Sequence, residues 1–186
     1  MEKGGKKMVE VSTSILTMEK GKEAETLLAL EKSKTDYFHI DVMDGNFVEK
    51  DTYHDMVEYS AYIRRISNLP MDVHLMVKDI ETAIEVFSAV EPNIIIFHLE
   101  ACENKEEVMK YITLIKEKGS RVGIAIKPET PIEQVYEYLP YIHTCLVMTV
   151  EPGKGGQTLI TDMIAKISEL KLYTERKNID IDIEAD

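Results

Sequence analysis

The stretch Tyr37-Phe38-His39-Ile40-Asp41-Val42-Met43-Asp44-Gly45-Asn46-Phe47 decides the fold and contains the first candidate site. It begins as an apolar, strand-like run and ends on Asp-Gly, which is a turn signal. Because side chains alternate along a strand, His39 and Asp41 are expected on the same face. A second apolar run, residues 71–77, carries His74 in its middle.

Polar side chains on mostly buried strands cost free energy unless a hydrogen-bond partner or an ion satisfies them. His39, Asp41 and His74 on neighbouring strands would supply three ligands for a divalent metal. The alternative is that the histidines are hydrogen-bonded core residues. The residues by themselves leave both interpretations open.

Length and composition favour one globular domain. The chain has 186 residues, 44% of them hydrophobic and 30% charged, and we expect a single domain over residues 8–186 behind a disordered tail at residues 1–7. The formal net charge of −12 argues against a nucleic-acid partner but allows a small phosphorylated substrate. No apolar run reaches the roughly 20 residues that span a bilayer, so no membrane partner is expected. Cys102 and Cys145 lack metal-ligand spacing, and we expect reduced thiols in a cytoplasmic protein.

Apolar strand patterns alternate with helical patterns along the whole chain. Predicted strands cover residues 8–16, 36–41, 71–77, 93–98, 121–126, 143–150 and 179–186, and predicted helices cover 21–33, 53–66, 80–90, 104–118, a segment opening at Pro131, and 159–176. Such alternation predicts a parallel sheet with helices outside it, either a closed barrel or an open doubly wound sheet. Polar and Gly-rich residues recur at the carboxyl ends of several strands, which favours an α/β fold of the (β/α)8 TIM-barrel type.

The chain ends at Asp186, inside the seventh predicted strand. A (β/α)8 barrel usually needs about 200 residues or more. We therefore expect a barrel truncated within strand seven, with the sequence of strand eight missing.

The loop Pro152-Gly153-Lys154-Gly155-Gly156-Gln157 is the strongest candidate outside the two strands. Glycines let backbone amides approach a phosphate, and the start of the following helix adds a favourable dipole. Gly-rich turns are also common without any ligand.

Further candidates lie at predicted strand ends. Three methionines either pack in the hydrophobic core or line the mouth of the site and exclude water from it: Met43, Met76 and Met148. Ser14 is either a turn residue or a hydrogen-bond donor to substrate. Asp186 is either a terminal aspartate or a second carboxylate for the metal, opposite Asp41 in a barrel.

Together these motifs resemble the ribulose-phosphate 3-epimerase family. The resemblance runs from about Val11 to the last residue, with the motifs in the family's order. It rests on four segments: residues 39–48 (HIDVMDGNFV), 72–77 (DVHLMV), 98–100 (HLE) and 147–157 (VMTVEPGKGGQ), followed by the terminal Ile-Glu-Ala-Asp at 183–186.

The resemblance implies a TIM barrel of the ribulose-phosphate-binding type and one divalent metal ion, either Zn, Fe, Mn or Co. It implies interconversion of D-ribulose 5-phosphate and D-xylulose 5-phosphate by proton transfer through an enediolate, and commonly a homo-oligomer. The implied metal ligands are His39, Asp41, His74 and Asp186. The implied catalytic acid/base pair is Asp41 and Asp186. The implied substrate-binding residues are Ser14, His74, Met43, Met76, Met148, Gly153, Lys154, Gly155 and Gly156.

The chain departs from the family pattern in two mouth segments. The family's Phe-Val-Pro-Asn is Phe47-Val48-Glu49-Lys50 here, and the usual aromatic of its Pro-Gly-x-Gly-Gly loop is Lys154. Three other functions stay open: a D-allulose-6-phosphate 3-epimerase, a truncated inactive relative that acts only as a binding protein, and a metal-free barrel that binds a phosphorylated ligand.

Overall fold

The computed structural model describes residues 9–186, so the predicted tail at residues 1–7 lies outside it. Strands and helices follow one another as the sequence predicts, except between the fifth and sixth strands. The strands are β1 (Ser12–Ser14), β2 (Tyr37–Met43), β3 (Met71–Met76), β4 (Ile94–His98), β5 (Arg121–Ile126), β6 (Thr144–Val147) and β7 (Asp182–Ala185). The α-helices are α1 (Glu23–Lys32), α2 (Tyr53–Ile66), α3 (Ile80–Ser88), α4 (Lys105–Glu117) and α5 (Asp162–Lys177).

The strands form one parallel sheet whose spatial order, β1 to β7, is the order along the chain. An open doubly wound sheet would reverse its order at a switch point, and this sheet does not. The sheet is also curled. In a flat sheet β2 and β7 would lie about 24 Å apart at the usual strand spacing, yet His39 Nδ1 on β2 is 3.7 Å from Glu184 Oε1 on β7. The fold is therefore a parallel α/β fold with a curled, seven-stranded sheet.

Two apolar clusters fill the two faces of the sheet. The larger packs the outward-facing strand residues against the helices and includes Phe38, Phe97 and Ile115. The smaller lies inside the curl and consists of Ile94, Ile96, Ala125, Leu146 and Met148. Polar side chains occupy the rest of the inner face, and this division places the candidate site inside the curl.

The segment between β5 and β6 differs from its prediction. Instead of one helix opening at Pro131, it forms two short 3-10 helices, Ile132–Val135 and Leu139–Tyr141. Pro140 lies in the second of these. Proline lacks a backbone N–H and disfavours helical geometry in the residue before it, so a continuous α-helix cannot run through this position.

Other boundaries shift by a few residues. β1 keeps only Ser12–Ser14 of the predicted strand, and α5 begins at Asp162 rather than at residue 159. The predicted stop of α4 is confirmed, because Gly119 follows the helix with a φ of 88°. Within residues 9–186 no helix is both long and apolar enough to cross a membrane.

Candidate active site

Four ligand-type side chains meet on the inner face of the curled sheet. His39 and Asp41 project from β2, His74 from β3, and Asp186 directly follows β7. One ligand atom from each lies within 4.8 Å of the others. His39, Asp41 and His74 are buried, whereas 40% of the Asp186 side chain is exposed. The structure thus brings together the four residues that the resemblance implies as ligands.

The distances within this cluster suit a small divalent ion. Asp41 Oδ1 lies 3.3 Å from His39 Nε2 and 3.4 Å from His74 Nδ1, and Asp186 Oδ2 lies 3.8 Å from His74 Nδ1. Ligand atoms about 2.1 Å from a tetrahedral ion are about 3.4 Å apart. The observed separations are therefore those of neighbouring ligands.

Two nitrogen atoms of the cluster are buried without a hydrogen-bond partner. They are His39 Nε2 and His74 Nδ1, the two that face Asp41. Leaving a buried polar atom unsatisfied costs about 1–3 kcal/mol, and an ion bound between these nitrogens and the two carboxylates would remove that cost. The donor set of two imidazoles and two carboxylates fits Zn, Fe, Mn or Co.

A further set of polar residues orients the His39 ring by hydrogen bonds. Its Nδ1 lies 3.0 Å from Asp72 Oδ1, and Ser12 Oγ donates to both oxygens of Asp72 at 3.0 and 2.9 Å. A carboxylate only accepts hydrogen bonds, so Nδ1 carries a proton and donates it to Asp72, which leaves Nε2 as the nitrogen that would bind a metal. Sequence reasoning missed Asp72, Ser12 and Glu184. Each lies two residues before a predicted site residue, so strand alternation could have placed all three on the inner face.

The charges of the cluster shift the pKa values of its members. Burial alone would lower the pKa of His39, but the carboxylates of Asp72 and Asp41 raise it well above its ordinary value. Burial opposes ionisation of Asp41, but His39 and His74 hold its pKa well below the usual range. Burial and the neighbouring charge of Asp72 raise the pKa of Glu184 to about 8. The metal-free site therefore keeps Asp41 ionised and Glu184 protonated at neutral pH.

His98 and Glu100, quoted above without a role, lie at the end of β4 beside His74. The His98 and His74 rings are stacked, with centroids 5.0 Å apart. Burial lowers the pKa of His98 to about 4. Burial would raise the pKa of Glu100, but hydrogen bonds from His98, Thr130 and the Lys127 amide bring it down to about 2. His98 is thus neutral and Glu100 ionised near pH 7.

The predicted substrate-binding residues on the strands surround this cluster. Ser14 Oγ donates to Asp41 Oδ2 at 2.6 Å. Met43 and Met76 are register partners, each two residues beyond Asp41 or His74, so both lie on the inner face nearer the carboxyl ends of the strands. Met148 packs in the inner apolar cluster. All three methionines are buried, and their contact with substrate stays a prediction.

The Gly-rich loop follows β6, and hydrogen bonds of the Thr149 backbone fix its start to Asp186 and its end to Ile160. Thr149 N donates to the Asp186 carbonyl oxygen at 2.6 Å, and Ile160 N donates to the Thr149 carbonyl oxygen at 2.8 Å. Gly153 is buried against Val48 with a φ of 98°, whereas Lys154, Gly155 and Gly156 are exposed. Within residues 9–186 no backbone N–H of residues 153–156 donates to a protein acceptor. These amides are free to bind an anion such as a phosphate.

The ribulose-phosphate 3 epimerase family model matches residues 10–186 of the chain. The chain belongs to this family. Ribulose-phosphate 3-epimerase from Bacillus subtilis is 34% identical over 170 residues, covering 91% of this chain and 76% of the relative. The chloroplastic ribulose-5-phosphate-3-epimerase of Arabidopsis thaliana is 32% identical over 188 residues, covering 100% of this chain and 65% of the relative. Proteins with these names are epimerases of the isomerase class, so family membership supports epimerase activity.

Solved structures support the fold alone. A mutant tryptophan synthase alpha-subunit from Pyrococcus furiosus superposes with a TM-score of 0.56, covering 87% of this chain and 70% of the subunit at 14% sequence identity. A protein from Aquifex aeolicus gives a TM-score of 0.55 at 11% identity, covering 87% of this chain and 66% of that protein. These barrel-like neighbours agree with the curled parallel sheet of the epimerase family member described here.

Proposed function

We propose that this chain is a metal-dependent 3-epimerase that interconverts D-ribulose 5-phosphate and D-xylulose 5-phosphate. The observation that carries the proposal is the pair of carboxylates, Asp41 and Asp186, flanking His74 Nδ1 in a cluster whose two imidazole nitrogens lack other partners. Inverting a carbon centre requires one group to remove a proton from one face and another to return a proton to the opposite face. Asp41 and Asp186 come from β2 and from the end of β7, so they approach the site from two sides.

The proposed mechanism uses Asp41 and Asp186 in turn. In one direction Asp41 removes the C3 proton as general base and Asp186 delivers a proton to the opposite face, and the roles exchange in reverse. The C3 proton is acidic because the adjacent ketone becomes an enediolate. His39 Nε2, His74 Nδ1 and the two carboxylates would hold the ion, which when bound acts as a Lewis acid for the developing negative charge.

Ser14 and the mouth residues have supporting roles in this proposal. The Ser14 hydroxyl donates to Asp41 Oδ2, which fixes the carboxylate so that Oδ1 faces the two histidines. The free amides of residues 153–156 bind the substrate phosphate, and the exposed Lys154 adds a positive charge beside them. Met43, Met76 and Met148 exclude water from the enediolate, because water would add unwanted proton exchange.

A coupled assay for conversion of ribulose 5-phosphate to xylulose 5-phosphate tests the proposal. It is run on protein of verified mass, with and without Zn²⁺, Fe²⁺, Mn²⁺ or Co²⁺. Turnover that a chelator removes and an added ion restores would support it. Turnover of allulose 6-phosphate alone would replace the five-carbon substrate by the six-carbon one. Absence of turnover of either sugar by the metal-loaded, folded chain would leave only a binding function.

A further inference from the structure

A line of three side chains leads from the candidate metal ligand His74 towards the outside of β4. His74 Nε2 lies 2.9 Å from His98 Nε2, and His98 Nδ1 lies 3.1 Å from Glu100 Oε2. Both histidines are fully buried. Since water does not reach either imidazole, the proton positions on the two rings are set by their protein partners.

The outer end of the line fixes the direction of every hydrogen bond in it. Glu100 Oε1 accepts from the Lys127 amide at 2.7 Å and from the Thr130 hydroxyl. The other oxygen, Oε2, can only accept, so His98 Nδ1 carries a proton and donates it to Glu100. Neutral His98 then accepts at Nε2, and His74 must donate from its own Nε2.

The inner end of the line is the lone pair of His74 Nδ1. In the tautomer of His74 that carries its ring proton on Nε2, Nδ1 is unprotonated. That atom is the buried nitrogen without a hydrogen-bond partner, 3.4 Å from Asp41 Oδ1 and 3.8 Å from Asp186 Oδ2. The three side chains thus leave the lone pair where the candidate metal site needs it.

We infer that Glu100 is a positioning residue that, through His98, sets the tautomer in which His74 offers Nδ1 to a divalent metal. This inference rests on the proposed function, because the metal role of His74 belongs to it. The tautomer itself exists in the metal-free protein and can be measured there. Asp72 orients the candidate ligand His39 by direct contact. Glu100 acts on His74 in a similar way, but with the His98 imidazole between the carboxylate and the ligand.

Glu100→Gln is the informative substitution. The Lys127 N–H holds the amide oxygen of Gln, so the NH₂ group faces His98 Nδ1 and can only donate. His98 then places its proton on Nε2, His74 accepts at Nε2, and His74 Nδ1 becomes protonated. We expect Zn²⁺ affinity, measured by competition with a chromophoric chelator, to fall by about 10- to 100-fold.

The matched control is Glu81→Gln, which removes the same charge from an exposed residue paired with Lys110 on the surface of α3 and α4. Its Zn²⁺ affinity should stay within about 2-fold of the wild-type value, since exposed charges are screened. An unchanged affinity in folded Glu100→Gln, or an equal loss in both variants, would overturn the inference.

The second readout is the ¹⁵N NMR spectrum of the histidine rings in metal-free wild-type protein. The inference requires the ring proton of His98 on Nδ1 and a proton on Nε2 of His74. A proton on His98 Nε2 would overturn it, and this measurement needs no variant that might fold poorly. If the wild-type chain bound Zn²⁺ but epimerised no sugar, the proposed function would fail while the affinity comparison would still decide the role of Glu100.

Discussion

Gly123 on β5 occupies a position of the inner face that leaves no room for a side chain. It is the register partner of Ile96 on β4, and a Cβ added to it would lie 2.7 Å from Ile96 Cγ1 and 3.2 Å from Ile96 Cβ. Ile96 is fully buried and is itself the register partner of His74. Gly123→Ala therefore pushes the branched end of Ile96 against a candidate metal ligand.

The magnitude follows from two opposing effects. Overpacking a buried site costs about 1–3 kcal/mol, because the branch point of Ile96 cannot rotate away from the new methyl group. Replacing glycine by alanine also restricts the unfolded chain, which stabilises the folded state by about 0.4–1 kcal/mol. We expect Gly123→Ala to lower the free energy of unfolding by about 1.3 kcal/mol, the difference between the midpoints of these two ranges.

A urea-unfolding double-mutant cycle with Ile96→Ala measures this effect. Ile96→Ala removes Cγ1 and Cγ2, so the cost of Gly123→Ala should largely vanish in that background, which gives a coupling energy of about 1 kcal/mol or more. Gly155→Ala is the control, because no atom lies within 4 Å of the added Cβ. If Gly123→Ala cost the same with and without the Ile96 side chain, the packing argument would be refuted.

Three further predictions concern the loop, the buried thiol and the metal. Gly153→Ala, with a φ of 98° and an added Cβ 2.8 Å from Val48 Cβ, should destabilise by about 1–3 kcal/mol and raise KM for the sugar phosphate in unfolding and kinetic assays. Gly155→Ala should leave the free energy of unfolding unchanged, because its added Cβ meets no atom within 4 Å. Burial raises the pKa of Cys145 from 9.0 to about 12, so above pH 9 the folded state keeps a proton that the unfolded chain loses. The free energy of unfolding should therefore fall as pH rises above 9, by up to about 1.4 kcal/mol per pH unit. Cys145→Ala should flatten that slope in urea titrations between pH 8 and 10. A divalent ion at 100 times its Kd should raise the free energy of unfolding by about 2.7 kcal/mol. This increase should appear as a rise in Tm of roughly 5–10 °C that EDTA reverses. An unchanged Tm would contradict the fit of the four ligands to a metal ion.

Strand alternation was enough to predict that the central side chains of the cluster lie on one face. The two-residue spacing of His39 and Asp41 placed both on one face, and the central position of His74 in a second apolar run placed it beside them. The residues alone left Asp186 as either a terminal aspartate or a second carboxylate of the cluster. The family resemblance favoured the second interpretation, because nothing in the local sequence of the last strand shows that the sheet curls back towards β2.

Two features of the structure were not predicted from the sequence. One depends on the register between neighbouring strands, and the other on a proline that interrupts a helical pattern. Asp72 reaches His39 because these two residues are register partners, and no pattern within one strand shows that pairing. The segment after Pro131 has an apolar pattern that suits a helix, but Pro140 interrupts it and short 3-10 turns form instead.

The central claim is that two aspartates on opposite sides of one site exchange the C3 proton, and a deuterium-exchange experiment tests it most directly. Metal-loaded wild-type, Asp41→Asn and Asp186→Asn proteins are incubated with each epimer in D₂O, and label at C3 is followed by NMR. The account predicts label with inversion in the wild type. It predicts loss of inversion by at least about 100-fold in each variant, while the remaining carboxylate still exchanges the proton of one epimer, a different epimer in each variant. Inversion retained in either variant would contradict the account.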